Sequence, residues 1–434
     1  MPAFQKFNIS TFQIDGQHIR EYARATAGRQ EDVLKLEVKR YNPVYDLEPR
    51  GGGITIVATH GNGFPKELYE PLWESLVNGL AKRELKVNGI WIADVASQGQ
   101  SGLLNRGKLG NDPSGFDHSR DLLQMINHFR HEMTRPLFGI GHSMGGCHLA
   151  NLANFHPRLF SGLVLIEPVI QITAYDPSGP TPASTTIFRR DTWPSRAEAE
   201  TAFRKSALYK QWHPKVFDLW MKYGIVDVVD HDLKQLDTAG RPTPVTLTTT
   251  KHQESFLYVR PCDEARVDAT GRLSMNHEST PDLDPHLVLH GSNQKTPPFW
   301  APKFYRPEPT ITFHQLPHLR PPTLFIFGDA SNVYRNGARE DLVANTGTGY
   351  GGSGGAAAGK VASVVLPDGA HTVPMVSPEQ VAKSMHDWLA ERVEECCLAE
   401  AEFYVNWDQK SSDEKTKLGP FWIENGNFKR PPKL

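Results

Sequence analysis

LFGIGHSMGGCHLANLANF, at residues 137–155, is the stretch that decides the fold of this chain. Its apolar start predicts a strand, its end carries a helical pattern, and the G-x-S-x-G motif GHSMG (141–145) joins the two. A strand-to-helix turn this tight needs small residues where the main chain crowds. The turn lifts the side chain of Ser143 above the sheet, next to the positive end of the helix. The motif in this setting predicts that Ser143 is a nucleophile.

Further short apolar runs flank this motif on both sides. Each lacks polar alternation, which is typical of parallel strands that are covered on both faces. Helical patterns separate the early runs, and the stretch 118–133 keeps one apolar face. The runs are ITIVATH (54–60), GIWIADV (89–95), GLVLIEPV (162–169), PTLFIFGD (322–329) and VASVVLP (361–367). Strand and helix in alternation predict an α/β fold with a doubly wound, mostly parallel sheet.

The alternation stops between residues 170 and 320, where an aromatic-rich stretch follows a proline-rich loop and turns helical at 196–225. An insertion between two strands of a regular sheet most simply forms a cap over the carboxyl edge of the strands, where such sheets bind ligands. We therefore expect core residues 1–169, a helical and loop-rich cap or lid at 170–320, and core residues 321–434 with a C-terminal extension. The alternative is a packed subdomain that does not contact substrate.

A serine hydroxyl needs an adjacent base to act as a nucleophile at neutral pH. Among 18 histidines, His371 has the right position, because it follows the last predicted strand and precedes an amphipathic helix. His142 adjoins the serine but is expected to point elsewhere on the turn, so we assign it to packing or local hydrogen bonding. His371 is the predicted base.

The third member of such a triad is an ionised carboxylate that orients the imidazole. Its usual place is the loop after the penultimate strand, where FIFGDASNVY puts Ser331 at the expected position and Asp329 two residues early. The other place follows the strand after the nucleophile, where LVLIEP contains Glu167, and a carboxylate behind such an apolar run needs a partner. We predict Glu167 as the acid, with Asp329 as the alternative and Asp176 as a more remote one.

Acyl transfer also needs hydrogen-bond donors for the oxyanion of the tetrahedral intermediate. Met144 follows the nucleophile, and the loop HGNGF (60–64) follows the strand ITIVAT. The two glycines of this loop allow the main chain to approach a reacting carbonyl. We predict the backbone N–H groups of Met144 and Asn62 as donors, with Gly63 as the alternative to Asn62.

Aromatic residues predict an apolar substrate. Phe64 lies in the same loop as Asn62, and Trp193, Trp212 and Phe217 lie in the expected cap. Between cap and sheet, these four side chains would contact an apolar acyl chain.

Composition disfavours several other classes of protein. With 22% charged residues and a net charge of −2, the chain lacks the basic footprint of a nucleic-acid-binding protein. No apolar run reaches the roughly 18–20 residues that span a bilayer, and the first residues lack the pattern of a secretory signal. The four cysteines show no zinc-site spacing. We expect an intracellular enzyme without a metal or other cofactor.

Four motifs, taken in their order along the chain, resemble those of the α/β-hydrolase superfamily. They are HGNGF (60–64), GHSMGG (141–146), LIEP (165–168) and GAHTVP (369–374). The phrase HGNGFPKELYEPL (60–72) and the helix start DHSRDLLQ (117–124) are similar to a fungal group of peroxisomal α/β hydrolases. That group includes lipase-like proteins, toxin-biosynthesis hydrolases and the acyl-CoA hydrolase of mycophenolic acid biosynthesis. Its acid is often Asp, where this chain has Glu167.

The resemblance implies a serine hydrolase that cleaves an acyl thioester or ester through an acyl-enzyme on Ser143. The expected substrate is an acyl-CoA thioester of fungal secondary or lipid metabolism. The alternatives are a lipase or carboxylesterase, an acyltransferase or cyclase that uses the same triad, and a ligand-binding receptor on a hydrolase scaffold.

The terminal residues Pro432, Lys433 and Leu434 are similar to the Ser-Lys-Leu peroxisomal address, with proline in place of the small first residue. This similarity implies a peroxisomal import receptor as a partner and a peroxisomal location. Without import, the protein would be cytoplasmic.

Overall fold

An eight-stranded sheet forms the centre of the molecule. The computed structural model describes residues 4–47, 49, 53–172, 181–228, 243–262, 264, 266–267, 273–274, 276, 280–282, 303–334 and 337–426. The strands are β1 (Phe4–Asp15), β2 (Lys35–Tyr45), β3 (Gly53–Thr59), β4 (Lys86–Ala93), β5 (Leu137–His142), β6 (Gly162–Ile166), β7 (Thr323–Gly328) and β8 (Val361–Leu366). The predicted apolar runs all fall on strands of this sheet.

The strand order is β1-β2-β4-β3-β5-β6-β7-β8. β2 pairs antiparallel with both β1 and β4, and the strands from β4 to β8 pair in parallel. The predicted α/β class with a mostly parallel sheet is confirmed. Because parallel strands end at the same edge, the loops after β3, β5, β6 and β8 meet there.

Helices cover both faces of the sheet. The α-helices are α1 (Glu70–Ala81), α2 (Gly99–Leu104), α3 (Phe116–His128), α4 (Met144–Phe155), α5 (Thr181–Ile187), α6 (Arg196–Lys205), α7 (Pro214–Leu219), α8 (Lys251–Tyr258), α9 (Pro307–Gln315), α10 (Ala338–Asn345), α11 (Val373–Val376), α12 (Pro378–Asp408), α13 (Ser412–Thr416) and α14 (Pro420–Asn425). Shorter helical turns lie at Ala23–Ala25, Lys66–Tyr69, Tyr209–Gln211, Trp220–Gly224, Leu316–His318 and Ala356–Ala358. None of the helices in the described ranges combines the length and apolar character needed to cross a membrane.

Successive residues of β3 divide between two apolar cores. Ile54 and Ile56 pack on the face covered by α1 and α12, whereas Val57 packs on the face covered by α3 and α4. This alternation follows from the two-residue period of a strand. Because both faces are covered, the strand needs no polar side, which explains its continuous apolar run.

The insertion between β6 and β7 contributes side chains to both of these apolar cores. Its described parts include α5 to α9 and a three-stranded antiparallel sheet of Thr192–Trp193, Val245–Leu247 and Ile225–Asp227. Shorter strand pairs join Arg260–Pro261 to Phe304–Tyr305 and Arg266–Val267 to Leu273–Ser274. Trp212 and Trp220 belong to the apolar cluster that also holds Ile54, and Phe313 of α9 packs in the opposite cluster beside α4. Treating 170–320 as one cap domain stays a prediction.

Candidate active site

The turn between β5 and α4 holds Ser143 in a strained conformation. Its φ of 58° is unusual for a residue with a side chain. A Cβ on Gly141 would lie 2.7 Å from the carbonyl oxygen of Gly145, and a Cβ on Gly145 would lie 2.6 Å from Thr59 Oγ1. Crowding therefore explains both glycines of the G-x-S-x-G motif. The N–H of Ser143 donates to the carbonyl of Ile166, 2.9 Å away, which ties the turn to β6.

Three side chains from distant parts of the chain meet at this turn. Ser143 Oγ lies 2.9 Å from His371 Nε2, and His371 Nδ1 lies 3.0 Å from Glu167 Oε2. Ser143 follows β5, Glu167 follows β6, and His371 lies in the loop between β8 and α11. The structure thus brings together the three residues that the sequence predicts as nucleophile, base and acid. The serine is 6% exposed and Glu167 is completely buried.

Hydrogen bonds from β7 and the loop after it satisfy the Glu167 carboxylate. The N–H of Gly328 donates to Oε1 at 2.7 Å, and the hydroxyl of Ser331 donates to Oε2 at 2.5 Å. The backbone of Glu167 has a φ of 48°, and its N–H donates to the carbonyl of Ile326 at 2.8 Å. A buried carboxylate needs such donors, and they also fix the oxygen that faces His371.

Ser331 is the residue of this arrangement whose role the sequence did not predict. It occupies the position where the acid was expected, and it supplies a donor to the acid instead. The sequence offered one signal for this role, because the position after Gly328 where an acid is expected holds a residue with a hydroxyl group. Asp329, the alternative acid, is exposed, and the hydrogen bonds of the His371 ring within the described residues do not include it. Asp176 lies outside the described residues.

The backbone N–H groups of Asn62, Gly63 and Met144, the predicted oxyanion donors, differ in whether they already have an acceptor. The N–H of Gly63 donates to Gln98 Oε1 at 2.8 Å, so this donor is already used. The N–H groups of Asn62 and Met144 have no acceptor among the described residues. Both remain available for a ligand oxygen, which favours Asn62 over its alternative Gly63.

The side chain of Asn62 is held from two sides. Its Nδ2 donates to the main-chain carbonyl of Glu254 in α8 at 3.0 Å, and its Oδ1 accepts from the Gln98 amide. The Glu254 side chain in turn accepts from Thr186 at 3.0 Å and pairs with Arg189 at 2.6 Å. Residues of the insertion therefore contact the predicted oxyanion loop. Sequence patterns gave no sign of these contacts, because their members lie far apart along the chain.

The four predicted substrate-binding aromatic residues differ in their surroundings. Phe64 is half-buried, and its ring lies parallel to that of His142 and edge-on to Trp212, with centroids 6.2 and 5.7 Å apart. Trp193, Trp212 and Phe217 are 3%, 5% and 4% exposed and pack in the apolar cluster that also holds Ile54 of β3. Of the four, Phe64 therefore retains the most surface for a ligand.

Metal ligands were not expected at this site. In the part of the chain that the structure describes, no group of three or more His, Cys, Asp or Glu side chains is arranged to hold a metal ion.

Residues 56–384 match the alpha/beta hydrolase family. The chain belongs to this family. This α/β hydrolase is 39% identical over 420 residues to mpaH′, a type I acyl-CoA thioesterase of Penicillium brevicompactum, an alignment that covers 94% of this chain and 93% of that protein. It is 39% identical over 403 residues to the type I acyl-CoA thioesterase mpaH of Penicillium roqueforti, covering 90% and 89%. The family and these relatives make the chain a hydrolase.

More distant proteins are also similar to this α/β hydrolase. The abhydrolase domain-containing protein AFT2-1 of Alternaria alternata is 27% identical over 297 residues, covering 67% of this chain and 98% of that protein. Among solved structures, the peroxisomal alpha-beta-hydrolase Lpx1 of Saccharomyces cerevisiae superposes with a TM-score of 0.65 at 17% identity, covering 95% and 99%. The resemblance to the α/β-hydrolase superfamily and to its fungal group is confirmed.

Proposed function

We propose that this α/β hydrolase cleaves an acyl-CoA thioester to a free acid and CoA. The observation that carries the proposal is the hydrogen-bonded series Glu167–His371–Ser143. The distance from Glu167 Oε2 to His371 Nδ1 is 3.0 Å, and the distance from His371 Nε2 to Ser143 Oγ is 2.9 Å. It occurs in a chain 39% identical to a type I acyl-CoA thioesterase over 94% of its length. Identity over nearly the whole chain includes the insertion, which lies beside the predicted oxyanion loop.

In the acylation half-reaction, Ser143 Oγ attacks the thioester carbonyl carbon while His371 Nε2 accepts the hydroxyl proton. Glu167 stabilises the imidazolium through Nδ1 and keeps the ring oriented. The N–H groups of Asn62 and Met144 bind the oxyanion of the tetrahedral intermediate. The carbon–sulfur bond then breaks, and the leaving thiolate takes the proton from Nε2.

In the deacylation half-reaction, water replaces the thiol. His371 Nε2 accepts a proton from this water as its oxygen attacks the acyl-enzyme carbonyl. The bond to Ser143 Oγ breaks, and the proton on Nε2 returns to the serine. The free acid leaves, and the acyl chain contacts Phe64 while it is bound.

The test is turnover of a panel of acyl-CoA thioesters and simple esters, with released thiol and released acid measured separately. We expect acyl-CoA hydrolysis by the full-length protein and loss of turnover in Ser143→Ala by at least about 10³-fold. A fluorophosphonate probe should label the parent protein and spare Ser143→Ala. Turnover that survives Ser143→Ala would overturn the assignment.

The panel also separates the alternative functions. Cleavage of esters without cleavage of thioesters would indicate a carboxylesterase or lipase. Labelling of the protein by the probe, together with formation of a lactone or a new ester in a separate turnover assay, would indicate a cyclase or acyltransferase. Binding of an acyl-CoA with neither labelling nor turnover would indicate a receptor.

We further propose that Pro432, Lys433 and Leu434, which lie outside the described residues, are recognised by the peroxisomal import receptor. A fluorescent protein fused in front of the full chain should localise to peroxisomes in a filamentous fungus. Deletion of the three residues should leave it in the cytosol, and an unchanged distribution would contradict the proposal.

A further inference from the structure

His142, the residue before the nucleophile, uses both of its ring nitrogens. Nδ1 lies 2.7 Å from the hydroxyl of Tyr69, and Nε2 lies 2.9 Å from the main-chain carbonyl of His371. Both side chains are 1% exposed. The ring therefore makes two specific contacts in a buried place, beyond simple packing beside Ser143.

The partners fix where the protons lie. A carbonyl can only accept, so Nε2 of His142 carries the proton that binds the His371 carbonyl. The neutral ring then presents Nδ1 as an acceptor, and the hydroxyl of Tyr69 donates to it. Tyr69 Oη itself accepts from the N–H of Gly61 at 2.8 Å. Hydrogen bonds thus run in one direction from Gly61 through Tyr69 and His142 to His371.

Burial keeps both rings in the protonation states that this order of donors and acceptors requires. Burial, with a smaller contribution from the neighbouring His371 ring, lowers the pKa of His142 to about 3. Burial likewise raises the pKa of Tyr69. A neutral imidazole and a neutral phenol are the forms that the hydrogen bonds require.

The two ends of this series adjoin two groups of the proposed catalytic machinery. Gly61 precedes Asn62, the proposed oxyanion donor, and His371 carries the proposed base. A Cβ on Gly61 would lie 3.0 Å from Nδ1 of His142, which shows how closely the loop approaches the ring. A shift of either loop would therefore disturb the same hydrogen bonds.

We propose that Tyr69 and His142 are positioning residues that hold the oxyanion loop and the main chain of His371 in place around Ser143. This inference rests on the proposed function, because it assigns the two residues to the acylation geometry. Neither touches the reacting atoms; each acts through Gly61 or His371. Misplacement of catalytic groups by about 1 Å is enough to cost roughly 100-fold in rate.

The test compares two buried tyrosines, Tyr69 and Tyr45, whose hydroxyl oxygens each accept a hydrogen bond from a backbone N–H group. Tyr45 accepts from the N–H of Val87 at 3.0 Å, at the edge of the sheet opposite Ser143. Tyr69→Phe and Tyr45→Phe should therefore both lower the thermal unfolding midpoint. Tyr69→Phe should also lower kcat on the acyl-CoA by about 10–100-fold and slow fluorophosphonate labelling, with KM nearly unchanged. Tyr45→Phe should retain the parent kcat.

Rescue at His142 separates positioning from general stability. His142→Gln keeps an amide N–H for the His371 carbonyl, whereas His142→Leu removes every polar atom. We expect His142→Gln to retain at least tenfold more kcat than His142→Leu. Because the bonds lie in series, Tyr69→Phe combined with His142→Leu should be hardly slower than His142→Leu alone.

The outcomes distinguish this inference from the proposed function. If Ser143→Ala is inactive but Tyr69→Phe and Tyr45→Phe lose kcat equally, the positioning role is wrong and the proposed function stands. Equal kcat in His142→Gln and His142→Leu would also overturn it. If Ser143→Ala keeps its turnover, the proposed function itself fails.

Discussion

Glu167 and Ser331 divide a task that the sequence pattern assigns to one position. The usual acid position after the penultimate strand holds Ser331, and the carboxylate comes from the end of the neighbouring strand β6. β6 and β7 are parallel and end at the same edge of the sheet, which places Glu167 and Ser331 close together there. The hydroxyl of Ser331, at the usual acid position, donates a hydrogen bond to the carboxylate of Glu167.

Substitutions at these positions should differ in size. Glu167→Gln should lower kcat by about 10³–10⁴-fold, because a neutral amide neither stabilises the imidazolium nor fixes the tautomer. Ser331→Ala should lower kcat by about tenfold, because it removes one of two donors that orient the carboxylate. Kinetics with the best acyl-CoA of the panel measure both effects.

The control at this site is Asp329→Asn, which changes an exposed carboxylate two residues before Ser331. It should leave kcat within about twofold of the parent. A larger loss in Asp329→Asn than in Glu167→Gln would move the acid to Asp329.

Sequence reasoning predicted Ser143, His371 and Glu167 as a triad because each follows a recognisable strand, and the structure brings the three side chains together. Tyr69, Gln98 and Ser331 were not identified, although all three hydrogen-bond to the site. Their roles depend on which side chains meet across the fold, and no local pattern encodes that. The position of Ser331, where an acid was expected, was the one available sign.

At the level of elements, the contact between α8 and the loop 60–64 connects the insertion to the sheet. Gly63 has a φ of 79°, and a Cβ there would lie 2.7 Å from the carboxyl carbon of Glu254. Arg189 holds that carboxylate at 2.6 Å, so it cannot move aside freely. The loop therefore needs glycine for its backbone conformation and for the close approach of the insertion.

Gly63→Ala should lower kcat by about 10–100-fold, because the displaced loop carries the N–H of Asn62. The matched control is Gly107→Ala, since Gly107 has a φ of 83° but no described atom within 4 Å of the added methyl group. Both variants should lose about 1 kcal/mol or more of unfolding free energy to backbone strain. Equal kcat in the two variants would show that the Glu254 contact does not position the loop.

Element prediction was most accurate in the sheet and least accurate in the insertion. The stretch 196–225 was predicted to be helical, but it contains α6, a short turn, α7 and the turn Trp220–Gly224. Pro214 begins α7, and it keeps the preceding His213 extended, with a ψ of 135°. Trp212 and Phe217 of this stretch are 5% and 4% exposed, and their contact with an acyl chain stays a prediction.

Across the whole molecule, four histidines are buried near the carboxyl edge of the sheet. His60, His118, His142 and His148 are each 1–2% exposed. Burial lowers the pKa of all four, and it lowers those of His142 and His148 to about 3. The ring nitrogens of His118 and His148 have no hydrogen-bond partner among the described residues. Burial therefore favours the neutral form of these rings in the folded protein.

Stability should consequently fall as the pH drops below about 6.5, because the unfolded chain binds protons there and the folded chain does not. A ring that stays neutral in the folded protein removes about 1.4 kcal/mol of unfolding free energy between pH 7.5 and pH 5.5, so four such rings should remove roughly 5–6 kcal/mol. Urea titrations at several pH values measure this slope.

His118→Leu should make that slope less steep, because one fewer group takes up a proton on unfolding. His156→Leu, which alters an exposed histidine, should leave it unchanged. A slope that is the same in His118→Leu and the parent protein would show that the buried rings do not cause the acid sensitivity.

The overall architecture followed from sequence because strand and helix alternate with clear periods and a motif marks one strand end. The packing of the insertion did not follow, because it depends on contacts between residues more than a hundred positions apart, such as Asn62 with Glu254. Such contacts leave no local periodicity.

The chain enters the insertion directly after Glu167, yet that junction is tethered. The N–H of Val169 donates to the carbonyl of Ser143 at 3.0 Å, and the hydroxyl of Tyr334 donates to the carbonyl of Pro168. These bonds tie the junction to the turn that holds Ser143 and to the segment after β7. During evolution, or in a deliberate graft, the segment beyond Ile170 can therefore vary outside α8, whose Glu254 contacts the loop 60–64, while Glu167 keeps its position beside His371.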